Sequence, residues 1–169
     1  LTLANGLAII AEVYPAAHSA AAAFFLRTGP SDVPPLVMRV SHFLEHMMFK
    51  GTARRQAGDI HREFDEMGAL YNAFTSEDRT VYYGWVRKSD INKQLELLAD
   101  MMRSIIPPDE FTTEKNVILE EIAMSKDNIE HVTFDFLQEK VFAGHPLEWP
   151  ILGYDSTVPV TMDEMIIHT

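Results

Sequence analysis

The chain of 169 residues is 47% hydrophobic and 23% charged, a one-domain globular balance that excludes a disordered or low-complexity chain. Its formal charge of −11 argues against a nucleic-acid partner, which needs an excess of Lys and Arg, and no apolar run nears the roughly 18 residues of a membrane span. With no cysteine, disulfides and thiolate metal sites are excluded, so any metal is held by His, Asp or Glu.

Taken in chain order, Asn5-Gly6 predicts a hairpin turn between extended segments at residues 1–4 and 7–14. A second extended segment is read at 19–28, and the prolines of 30–35 make a stiff loop. Residues 37–50 have helical periodicity, stopped at Gly51, and 59–67 form a short helix stopped at Gly68. Residues 69–75 and 80–87, rich in aromatic and β-branched residues, read as an antiparallel pair. Ser89 is expected to cap a helix through 105 with Ile91, Leu95, Leu98, Met101 and Met102 on its apolar side. Pro107-Pro108 breaks it. Asp109 opens another helix to about 126, a further helix covers 132–143, and 144–159 is loop. Strands placed in groups among the helices indicate an α+β fold, a mostly antiparallel sheet packed against helices.

The ends predict a single domain from which a leading segment was removed or which begins inside a longer protein. Leu1 already reads as strand, with no signal or transit segment before it, and the compartment stays open. Thr161-Met-Asp-Glu164 has the capping-box pattern of a helix start, so residues 1–169 are expected to be incomplete at the C-terminal end.

The first helix carries His42-Phe-Leu-Glu-His46. On a helix His42 and His46 project about 40° apart, one turn along the same face, the separation two imidazoles need to grip one zinc. Glu45 stands beside them, able to face water. Val37, Val40, Phe43, Leu44, Met47 and Met48 gather on the other side, and Phe49 falls among the polar three. By itself the pattern also fits a solvated polar face carrying two idle histidines.

A catalytic zinc takes three protein ligands and keeps one position open. His18, His61, His131, His145 and His168 are scattered. In the helix from Asp109, Phe111, Ile118 and Ile122 mark the buried side; Glu120 points away from it. Glu121 falls at its margin, with Glu114 two turns earlier on the same line. Carboxylates there are costly unless paired or metal-bound. Boundary glutamates reaching out to water are the alternative.

His42-Phe-Leu-Glu-His46-Met-Met-Phe-Lys-Gly-Thr52 resembles the signature of the pitrilysin-like (M16) metallopeptidases, inverzincins in motif. Asn5-Gly-Leu7, Thr28-Gly29, Asn72-Ala-Phe-Thr75, Thr80-Val-Tyr-Tyr83, Glu114-Lys-Asn-Val-Ile-Leu-Glu-Glu-Ile122, His145-Pro-Leu147 and Pro150-Ile-Leu-Gly153 also have counterparts, in the same order. The resemblance implies the N-terminal catalytic domain of a zinc endopeptidase that hydrolyses unstructured peptides. Its one Zn2+ would be held by His42, His46 and Glu121, with Glu114 supporting the site and Glu45 as general base on a zinc-activated water. Asn72, Ala73 and Phe74 would lie on an edge strand that pairs with the substrate backbone; Phe74 also fits plain core packing.

The same resemblance implies a second M16-type domain or a partner subunit that closes over the site. This sequence departs from the family at Val37-Met-Arg-Val-Ser-His42, where relatives have small residues and Arg39 is the most unusual. A rival reading is a non-catalytic structural or substrate-presenting subunit of the same fold. Such relatives typically lack one or more of the four site residues, all of which are present here.

Overall fold

Residues 1–32 and 40–153 are described in the computed structural model of the chain. Strands β1 (Ser19–Leu26), β2 (Leu70–Ser76) and β3 (Arg79–Arg87) form one antiparallel sheet in the order β1–β3–β2. Phe24 and Ala73 both lie opposite Tyr82. Side chains alternate along each strand, so Ala22, Phe24, Tyr71, Ala73, Tyr82 and Val86 share one face. Helices α2 (Ala57–Glu66) and α3 (Ile91–Met101) cover that face with Ile60, Phe64, Leu97, Leu98 and Met101, all fully buried. Each such side chain contributes about 1.5–3 kcal/mol on burial, enough to make this the main apolar anchor of the sheet. The fold is α+β, as expected.

A second apolar cluster joins α1 (Val40–Met47) to α4 (Pro108–Asp127). Phe43 and Met47 of α1 interlock with Ile118 and Ile122 of α4, and the Phe43 ring meets Phe111 edge-on at 4.9 Å. The two helices that carry the motif residues are therefore held to each other by their own hydrophobic sides. Helix α5 (Ile129–Val141) follows, capped by Asn128 Oδ1, which accepts from Glu130 N and His131 N.

The loop after α1 is pinned by a buried polar cluster. Thr52 Oγ1 donates to Asp100 Oδ2 at 2.7 Å and accepts from the backbone of Arg54 and Arg55. The Arg55 guanidinium bonds Asp100 at 2.7 Å and Glu63 at 2.8 Å, tying the loop to α2 and α3 together. The turn between β2 and β3 is locked to the chain after β1. Ser31 bonds Glu77 O, Thr80 Oγ1 donates to Thr28 O, and a Cβ at Gly29 would collide with Glu77 O.

Several elements differ from expectation. The Asn5-Gly6 turn forms and joins Leu1 to Ile9 by reciprocal backbone bonds and Leu3 N to Leu7 O, but the pairing stops there, and Ile10 and Val13 are exposed. A hairpin without a third strand or a covering helix is marginal, and none of the described strands pairs with it. Ser89 does not cap α3; it sits in a short 3₁₀ turn, Lys88–Asp90, and its hydroxyl donates to Asp90. Helix α3 ends at Met101, where Arg103 and Ser104 close tight turns and Ser104 pairs with Thr52. Its buried side is Gln94, Leu97, Leu98 and Met101, whereas Leu95 is 41% exposed. The packing surface of the sheet has overridden the assumed apolar phase. Helix α1 ends at Met47, and the segment through Lys50 turns instead of continuing the helix. Val37, Arg39 and the Thr161–Glu164 helix start lie outside the described residues.

Candidate metal centre and catalytic site

One turn of α1 brings His42 and His46 together, with Nε2 atoms 3.3 Å apart and rings nearly perpendicular. Glu121, from α4, completes a triangle: its Oε2 lies 3.6 Å from Nε2 of each histidine. The neighbouring Glu120 is exposed, as the helix phase requires. Two ligands about 2.0–2.1 Å from a tetrahedral zinc are separated by roughly 3.3–3.4 Å, so the three observed edges fit such an ion. Among the described residues these three form a cluster able to hold a metal.

The protonation pattern suits the same purpose. Glu114, almost fully buried, accepts from His46 Nδ1 at 2.9 Å with one oxygen and pairs with Lys50 Nζ through the other. Burial pushes the Glu114 carboxyl up, but the bonds from Lys50 and His46 prevail and hold it below the usual range. An ionised carboxylate only accepts, so His46 donates to it from Nδ1, and Nε2 is the ring nitrogen on the side of Glu121 and His42. Burial, reinforced by the neighbouring His46, lowers the His42 imidazole to about 4, leaving it neutral near pH 7.

Glu45, on the same helix, turns toward the sheet. Its Oε2 accepts from Thr75 Oγ1 of β2 at 2.6 Å. Burial raises the Glu45 carboxyl above its ordinary value, against the opposing Thr75 bond. A half-buried carboxyl with a raised pKa beside a metal-competent cluster has the character of a proton acceptor.

Strand β2 thus runs alongside the site, at an edge of the sheet among the described strands. Thr75 and the buried Ala73 face the helices; Asn72 and Phe74 point to the opposite face. Asn72 Oδ1 accepts from Ala73 N. Phe74 is not core: it is 44% exposed, with its ring 6.1 Å from Tyr83 in an open patch that includes Phe25 and Trp85. His61, His131 and His145 are engaged elsewhere, with Tyr71, Asp135 and Leu147 N, and His168 lies outside the described residues. A cavity of about 570 Å³ between the β2–β3 turn and α5 is lined by none of the cluster residues. Sequence reasoning missed Thr75 and Lys50 as site residues. The signals were period-two spacing from Ala73 and a cation four residues after His46.

Comparison with known proteins places the chain in a family. Residues 8–155 match the family described as insulinase, peptidase family M16. An uncharacterized zinc protease of Bacillus subtilis, YmxG, is 39% identical over 158 residues, 93% of this chain and 39% of the relative. The chain thus spans about two fifths of the length of the curated relatives it matches. The crystal structure of an M16-like peptidase from Alicyclobacillus acidocaldarius, itself described as putative, superposes with a TM-score of 0.80. It is 27% identical, and the match covers 92% of this chain and 38% of that one. A peptidase M16 inactive domain from Pseudomonas fluorescens, 18% identical, shares the fold with a TM-score of 0.74 over 87% of this chain and 37% of that one. The chain belongs to the insulinase (M16) family of peptidases.

Proposed function

We propose that this chain is the N-terminal, catalytic domain of a zinc endopeptidase acting on unstructured peptides, held with a second M16-type domain or subunit. The observation that carries the reading is the triangle of His42 Nε2, His46 Nε2 and Glu121 Oε2, with edges of 3.3, 3.6 and 3.6 Å. His42, His46 and Glu121 would hold the ion. A zinc ion there supplies Lewis-acid chemistry, acidifying water and polarising a carbonyl.

The protein's own groups do the rest. Glu114 fixes the His46 ring by accepting from Nδ1. Glu45 takes a proton from the attacking water at its carboxylate and returns it to the leaving amine as the peptide C–N bond breaks. Its raised pKa brings it nearer the working pH and so makes it a better base. Residues Asn72, Ala73 and Phe74 of the edge strand would bind the substrate backbone by strand addition, which selects extended, unfolded segments.

The test is metal analysis of the purified protein together with hydrolysis of an unstructured fluorogenic peptide. One zinc per chain is expected, and, once a second M16-type domain or subunit is present, turnover that a chelator abolishes and added zinc restores. Glu45→Gln should keep the zinc and lose the turnover. A second reading, a non-catalytic structural or substrate-presenting subunit, is favoured by the inactive M16 domain of the same fold. It predicts no turnover in any assembly, whatever the metal content.

A further inference from the structure

Glu114 divides its carboxylate between two partners. Oε2 accepts from His46 Nδ1, and Oε1 pairs with Lys50 Nζ. The Glu114 side chain is 4% exposed and that of Lys50 is 23% exposed, so the pair is largely withdrawn from water. Lys50 sits in the turn that follows α1, whereas Glu114 and Glu110, whose Oε2 lies 3.7 Å from the same ammonium, belong to α4.

We propose that Lys50 is a positioning residue for the metal centre: it holds the Glu114 carboxylate against His46 and ties the histidine helix to the helix that carries Glu121. The inference rests on the zinc reading above. Its logic is that His46 Nδ1, a single donor, satisfies only one oxygen of a buried carboxylate. Without Lys50 the other oxygen is left without its cation, and a buried carboxylate in that condition turns toward water. His46 Nδ1 then loses a fixed acceptor, and with it the ring orientation that aims Nε2 at Glu121. Glu110 cannot substitute, because no contact joins it to His46. The apolar contacts of Phe43 and Met47 with Ile118 and Ile122 fix the distance between α1 and α4 but not the rotation of the His46 ring.

The test is zinc affinity of the purified protein, measured by competition with a chromophoric chelator. Lys50→Met should weaken zinc binding by about 10–100-fold, the usual effect of removing a partner behind a metal ligand. Lys50→Arg should recover most of the loss, and Glu110→Gln should leave affinity within about twofold of wild type. In a Glu114→Gln background, Lys50→Met should have little further effect, whereas a generally loosened structure would lose affinity again. Wild-type affinity in Lys50→Met, or full additivity with Glu114→Gln, overturns the proposal. If Lys50→Met loses its circular-dichroism spectrum, Glu114→Gln decides: unchanged zinc affinity there leaves Lys50 nothing to act through and overturns it equally. Absence of zinc binding by the wild-type protein would instead sink the metal reading itself, so the two failures are distinct.

Discussion

Thr75 Oγ1 donates a 2.6 Å hydrogen bond to Glu45 Oε2, joining the edge strand β2 to the helix that carries the histidines. The bond does two things at once. It fixes the rotamer of Glu45, a carboxylate that is not part of the metal-competent triangle. It also sets the height of β2 relative to α1, so a peptide added to that strand would run past the cluster in a fixed register.

Thr75→Val keeps the shape and β-branching of the side chain and removes the donor. The expected result is a fall in kcat of about tenfold with KM changed by less than about twofold, as for loss of a hydrogen bond to a charged group. Thr75→Ser should restore most of the rate. Equal loss in the valine and serine variants would mean that packing of the methyl, not the hydroxyl, matters.

Glu121 and Glu120 are adjacent in sequence but differ by about 100° around α4. Glu121→Gln should lower zinc affinity strongly, on the order of 10²-fold or more, since an amide oxygen replaces a charged ligand; Glu120→Gln should change nothing. Metal content after gel filtration, with both variants treated alike, reads this directly. Similar behaviour of the two would remove Glu121 from the ligand set.

The contrast between those two glutamates was legible in the sequence because helix phase is local: Ile118 and Ile122 define the buried side, and Glu121 follows from it. The one-turn spacing of His42 and His46 is local in the same sense. Leu95 was misread because an amphipathic pattern admits neighbouring phases, and the sheet surface selects Gln94 and Leu97 instead. The Asn5-Gly6 signal is local and pairs residues 1–3 with 7–9, whereas the strand expected beyond Ile9 needs a partner that no local pattern supplies. Thr75 with Glu45, and Lys50 with Glu114, are contacts between elements distant in sequence, so periodicity could place each on a face without saying what it would touch.

Asp100 is a stability residue, and its effect has a definite pH signature. Burial pushes its carboxyl up, but the bonds from Arg55 and Thr52 outweigh this and hold it below the ordinary carboxylate value. A depressed folded-state pKa means the contribution is fully present above the unfolded value of about 4 and is lost as pH falls through the folded one. Asp100→Ala should therefore cost about 2 kcal/mol at pH 7, the scale of a charged hydrogen-bond network, and less near pH 3. Urea unfolding at the two pH values checks both statements. A constant difference would show that the loss is packing and not charge.

The 169-residue chain by itself, loaded with zinc, should hydrolyse an unstructured peptide very slowly. A large part of enzymatic rate enhancement comes from holding the reacting bond in line, worth several orders of magnitude, and that requires a grip from more than one side. Here β2 offers one side, and the outward edge of that strand has no partner among the described strands. Beyond the strand, Phe25, Phe74 and Trp85 form an apolar patch that remains exposed, and the Glu121 side chain is 32% exposed. A carbonyl oxygen developing charge in so open a site stays in contact with bulk water, where fixed donors count for less than in an enclosed one. The measurement is kcat/KM for a fluorogenic peptide with the isolated chain, then with a second domain of the same family added. A rise of about 10²-fold or more on addition is the expected outcome. Full turnover by the isolated monomer would mean that the helix pair and one strand edge suffice to position a peptide, and the need for a closing domain would fall.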